Sequence, residues 1–150
     1  MTSKQAVDGF LAHRKIAVVG VTRASHGFGR IAWKTLREKG WDAVPVNPNA
    51  TEVDGVPCYP SLRALPAGSV EAAVVITPPA VTERVVEDAA AARIGWLWLQ
   101  QGAESDQAVR SCADHKIEAI AGECILMHAN PRGMHRVHRW IWGAIGKLPQ

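Results

Sequence analysis

Lys15-Ile16-Ala17-Val18-Val19-Gly20-Val21 runs directly into Thr22-Arg23-Ala24-Ser25-His26-Gly27-Phe28-Gly29. The first stretch is an apolar run of strand length and reads as a parallel strand buried on both faces. The second is a turn of small residues and glycine. It leads into a helical pattern in which Phe28, Ala32, Thr35 and Leu36 recur, with Gly40 placed where a helix-ending glycine belongs. A strand that ends this way aims unpaired amide N–H groups and the positive end of a helix at one point. A phosphate sits well at such a point, so a nucleotide-type ligand is the first hypothesis.

The alternation continues outward from that stretch. Residues 1–14 read as a short leading helix or arm. Trp41–Val46 is a second strand closed by Asn47-Pro48, residues 49–60 form a loop rich in turn formers, and Ser61 caps a short helix reaching Leu65. Val70–Ile76 is a third strand ending in Thr77-Pro78-Pro79. A helix from Ala80 to Arg93 then carries Thr82, Val85, Val86 and Ala89 on one face. Gly95–Leu99 is a fourth strand, turned by Gln100-Gln101-Gly102, and its Trp96 and Trp98 share one core-facing side. Ser105–His115 is helical with Ala108, Val109 and Cys112 inward, and Ile117–Ala121 is the fifth strand. Apolar strands alternating with amphipathic helices predict an α/β domain: a doubly wound parallel sheet of about five strands in three layers. The ligand belongs at the carboxyl ends of the strands, in segments 20–29, 46–49, 76–79, 99–102 and 121–125.

Composition narrows the class. A chain of 150 residues is the length of one domain and buries roughly 70% of its unfolded surface. No apolar run approaches the ~20 residues of a membrane span, and the first residues lack the apolar core of a signal peptide, so the expected location is cytoplasmic. Cys58, Cys112 and Cys124 are odd in number and show no CxxC spacing, which argues against a disulfide framework or structural zinc. A net charge of +3 is too modest to indicate nucleic acid. The excess gathers after Arg132, where Arg136, Arg139, Lys147, His135 and His138 meet no acidic residue. Met134, Val137, Ile141, Ala144 and Ile145 form an apolar stripe there, so residues 127–150 read as a basic tail built around a terminal helix. Trp140 and Trp142 mark it as a candidate homodimer interface. With no Asp, Glu or Cys beyond Cys124, its histidines read as a solvated basic face in preference to a metal site.

The identity of the nucleotide turns on two departures from a dinucleotide fingerprint. Thr22 stands where the second glycine of Gly-x-Gly-x-x-Gly would fall, and Asn47 stands where an Asp or Glu would meet a nicotinamide ribose. Residues 13–126, with Gly20-Val21-Thr22, Gly27 and Gly29, Val46-Asn47-Pro48, Val75-Ile76-Thr77-Pro78-Pro79 and Glu123-Cys124 in that order, resemble the CoA-binding domain family. That family includes small stand-alone CoA-binding proteins and the first domain of the succinyl-CoA synthetase alpha subunit. The resemblance implies a Rossmann-like domain holding coenzyme A or an acyl-CoA. Its phosphates would lie over the first turn, contacted by Thr22, Arg23, Ser25 and the N–H groups of Gly27, Phe28 and Gly29. Asn47 and Pro48 would border the adenosine, and Thr77, Pro78 and Pro79 would wall the pantetheine or adenine. In the synthetase branch a basic residue after the second strand often meets a CoA phosphate. Here the loop is Asn49-Ala50-Thr51, leaving Arg23, Arg30 or Lys34 to substitute.

No nucleophile, base and orienting group can be assembled from the pattern. Ser25 and His26 are adjacent turn residues, and Glu123 is the lone carboxylate expected in the crevice. Cys124 is either a small buried hydrophobe or a thiol placed to exchange with that of CoA. The reading is a non-catalytic CoA carrier, sensor or regulatory module. An NAD(P)-binding oxidoreductase or redox sensor and a ligand-free interaction module are its rivals.

Overall fold

The expected parallel sheet forms in the computed structural model of the chain, which describes residues 3–22 and 27–129. β1 (Lys15–Val19) has β2 (Asp42–Val46) on one side. A two-stranded hairpin of β3 (Glu52–Val53) and β4 (Val56–Pro57) follows in sequence but stands apart from the main sheet. On the other side of β1 come β5 (Ala72–Val75), β6 (Trp96–Gln100) and β7 (Glu118–Glu123), so the order is β2-β1-β5-β6-β7, every pair parallel. The chain moves outward from β1 to β2 and then returns to β1's other flank. The topological switch point therefore lies between the ends of β1 and β5.

Side-chain alternation along these strands makes two cores. Ile16, Val18, Val74 and Trp98 face α1 (Lys4–Leu11), α2 (Phe28–Glu38) and α5 (Ile125–His128). Ala17, Val19, Val75, Leu97 and Leu99 face α3 (Pro79–Ala91) and α4 (Asp106–Asp114). The large indoles are buried with their polar atoms satisfied: Trp33 Nε1 donates to Ala43 O at 2.8 Å, and Trp98 Nε1 to Glu123 O at 3.0 Å. Phe10 meets the Trp98 ring edge-on at 5.3 Å, which fixes α1 to the sheet. No helix among the described residues is long and apolar enough to cross a membrane.

Several details differ from the sequence expectation. Trp41 precedes β2; it is held under the Arg14 guanidinium, 4.1 Å from its ring, and donates through Nε1 to His13 O. Val109 is 40% exposed, because Ala108, Ser111 and Cys112 define the inward stripe of α4 and Val109 lies a quarter-turn from it. Ser61 makes no capping bond, and only a 3-10 turn, Leu62–Ala64, follows it. Gln100 belongs to β6 and is buried, its Oε1 accepting from Ile125 N at 2.9 Å. The expected loop at 49–60 contains the β3–β4 hairpin, turned by Asp54 and Gly55, both at positive φ. The terminal helix of Met134–Ile145, with its Trp140 and Trp142, lies outside the described residues.

Two glycines set the spacing at the switch point. Gly20 ends β1 at φ +105°, and a Cβ there would overlap the Ile76 carbonyl oxygen. A Cβ on Gly29, in the first turn of α2, would overlap the Gly20 carbonyl oxygen. Both obstacles are backbone, which cannot swing aside. Gly29→Ala is expected to lose about 1–3 kcal/mol of stability in urea unfolding. Gly95→Ala, which meets nothing within 4 Å, should stay within about 0.5 kcal/mol of wild type. Equal stability of the two variants would refute the close-packing account.

Candidate functional site

At the switch point α2 starts from Gly27, an extended residue with no side-chain capping bond, and Ile31 N is the first amide to bond back, to Gly27 O at 3.1 Å. Amides in the turn before it have no intrahelical acceptor and carry the positive end of the helix dipole. Across the opening α3 starts differently. Pro78 is its N-cap and Pro79 its first helical residue, and neither has an N–H to offer. Thr82 Oγ1 bonds to Thr77 Oγ1 at 2.7 Å and is fully buried. The start of α2 thus presents amides without intrahelical acceptors, and the start of α3 lacks two of them.

Gly20, Thr22, Asn47, Pro48 and Thr77 surround one cleft of about 460 Å³ on the β2 side of the switch point. Other expected residues sit elsewhere. Val21 is fully buried, so only its backbone faces the site, and its carbonyl accepts from Asn47 Nδ2 at 2.7 Å. Gly29 is pressed on Gly20, and Phe28 is 38% exposed at the head of α2. Pro78 and Pro79 are exposed and outside the cleft lining. Arg23 and Ser25 lie outside the described residues.

Asn47 is the keystone of the near wall. Besides its bond to Val21, its Oδ1 accepts from Asn49 N at 2.8 Å and its N–H donates to Tyr59 O at 2.9 Å. One donor and one acceptor site of the side-chain amide are thus used inside the protein, tying the loop after β2 to the turn after β1.

The far wall was not foreseen. Val81, Arg84, Val85 and Asp88 recur along one stripe of α3 and line the cleft, facing Pro60 and Leu62. That spacing is present in the sequence, but it overlaps the buried stripe of Thr82, Val85, Val86 and Ala89, which dominates the helical pattern. Asp88 is paired with Arg63 at 2.7 Å, and Arg84 has no carboxylate partner among the described residues. Of the substitutes expected for phosphate contact, Arg30 is paired with Asp54 of the hairpin turn. Lys34 lines a separate depression of about 570 Å³ between α2 and the start of β2.

Glu123 does not line this cleft: its carboxylate lies 3.4 Å from His128 Nε2 and its carbonyl holds Trp98. No group of three or more metal-ligating side chains occurs among the described residues. The three thiols are free and buried. Burial pushes Cys124 and Cys58 above the usual thiol range and Cys112 up to about 11.

Comparison with known proteins agrees with this fold. A family model described as a CoA binding domain matches residues 14–130. A conserved hypothetical protein from Pyrococcus furiosus superposes with a TM-score of 0.72 at 40% identity, over 75% of this chain and 96% of that one. A hypothetical protein from Pyrococcus horikoshii gives 0.77 at 27% identity, over 95% and 94%. Among curated proteins, the ADP-forming acetate–CoA ligase I of Archaeoglobus fulgidus is 32% identical over 73 residues, and the ligase II alpha subunit of Pyrococcus furiosus 36% over 73. These stretches are 49% and 48% of this chain but only 10% and 16% of the ligases.

The buried thiols are open to a direct test. With its pKa at about 11, Cys112 is a thiolate in about one molecule per thousand near pH 8. Native protein should therefore react slowly with an aromatic disulfide reagent, and all three thiols should titrate rapidly after denaturation. Because the folded state holds the neutral thiol, the associated stability is complete below about pH 9 and declines as pH rises from there through 11. A fast stoichiometric thiol in native protein would contradict the burial.

Proposed function

This chain belongs to the CoA binding domain family, and we propose that it binds coenzyme A or an acyl-CoA as a carrier, sensor or presenting module without catalysing a reaction on it. The observation that carries the proposal is the asymmetry of the two helix starts. α2 offers amides at Gly27–Gly29 for the diphosphate, and Thr22, Arg23 and Ser25 precede them in the sequence. The start of α3 lacks two of its donors, since Pro78 and Pro79 have no N–H. The adenosine would enter the cleft along Asn47 and Pro48, and the pantetheine would pass Thr77 toward the ends of β5 and β6.

Two observations disfavour a nicotinamide dinucleotide. Thr22 replaces a fingerprint glycine, and Asn47 stands in place of the acidic residue that would meet a nicotinamide ribose. The case against self-contained catalysis is chemical. The cleft holds Asp88, already paired, and Arg84, but none of the three buried thiols lines it. The Ser111–Glu87–His115 group, with Ser111 Oγ donating to Glu87 at 2.9 Å, clips α4 to α3 away from the cleft lining.

Thermal unfolding with CoA, acetyl-CoA, NAD and NADP tests the proposal. A ligand at a hundredfold excess over its Kd stabilises the folded state by about 2.7 kcal/mol, and CoA or acetyl-CoA should give the largest rise in Tm. A larger rise with NAD or NADP would move the chain to the oxidoreductase class, and no shift with any of the four would remove the nucleotide reading.

A further inference from the structure

The cleft beside the switch point contains a cation with no carboxylate to neutralise it among the described residues. Val81, Arg84, Val85 and Asp88 recur at helical spacing on one stripe of α3, and all four line this cleft. Asp88 accepts from Arg63 Nε at 2.7 Å, which cancels its charge toward the cleft. Arg84 is exposed and forms no ion pair there. Across from it, the loop of Asn47-Pro48-Asn49-Ala50-Thr51 brings no cation. Between the two walls lie Pro48, Pro60, Leu62 and Val81, flat or branched apolar groups suited to a planar ring.

Polarity and place together identify which part of a ligand belongs here. Gly20 and Thr22 line the cleft, and Gly20 lies against Gly29 in the first turn of α2, so the cleft begins where a diphosphate at that turn would end. It extends toward β2, and its apolar walls suit a purine better than a flexible chain of amides. A phosphate on the ribose of that nucleoside would emerge on the open side, toward α3. Resting on the coenzyme A reading, we infer that Arg84 binds the 3′-phosphate of the adenosine moiety and makes the site select coenzyme A over its dephosphorylated form. A guanidinium suits the task because its planar donors grip a phosphate through two parallel bonds and stay charged at any working pH. The wall opposite the loop after β2 thereby provides the charge that this loop lacks.

Calorimetric titration of the full chain at low salt with CoA and with dephospho-CoA tests the assignment. Wild type should prefer CoA by about tenfold or more, the scale of one charge-assisted phosphate contact. Arg84→Ala should bring the ratio to within about twofold while leaving dephospho-CoA affinity unchanged, and Arg84→Lys should keep part of the preference. The salt dependence of CoA binding should fall in Arg84→Ala alongside the ratio. A preference that survives Arg84→Ala, or a wild type that binds both compounds equally, would overturn the role of Arg84 and leave coenzyme A binding intact. Failure of wild type to bind either compound would instead strike the coenzyme reading, and this inference with it.

Discussion

The geometry of this protein depends on three backbone segments meeting without side chains between them. The start of α2 rests on the carbonyl of Gly20, and the end of β1 rests on the carbonyl of Ile76, which follows β5. At each contact the absence of a Cβ permits the approach. The result is that a helix start, a strand end and the neighbouring strand end share one narrow region, at the place where the strand order reverses. Larger residues at either position would push α2 away from the sheet and carry its amides out of reach of anything lying over the turn.

Charge is distributed across that region by how the two helices begin. Glycine before α2 leaves its first amides exposed to a ligand. Proline at the head of α3 removes donors and fixes the backbone in the helical φ range. Thr82, buried beneath, holds Thr77 by its hydroxyl and so steadies the wall from behind. The two sides of the opening therefore differ in the donors that their helix starts present.

Much of this was legible in the chain. The five apolar runs, their alternation with helices and the glycine-rich first turn carried the fold, because a buried parallel strand and an amphipathic helix have distinct periods. Boundaries shifted by a residue or two where backbone pairing, not hydropathy, decides them, as at Trp41 and Gln100. Ser61 misled because its hydroxyl has no amide within reach in a 3-10 turn. The Asp54-Gly55 hairpin carried a readable signal, the dipeptide that favours a tight reversed turn, but its flanking strands are two residues each and show no alternation. Arg84 was hidden for a different reason. A cation on the exposed part of a helix is ordinary until folding shows which loop it faces.

Asn47 has a consequence that reaches past its own loop. By gripping the turn after β1 and the segment after β2 at once, it assembles floor and near side of the opening during folding, in advance of any visitor. The outer stripe of α3 takes no part in those bonds, so a side chain there can be exchanged with the foundation untouched.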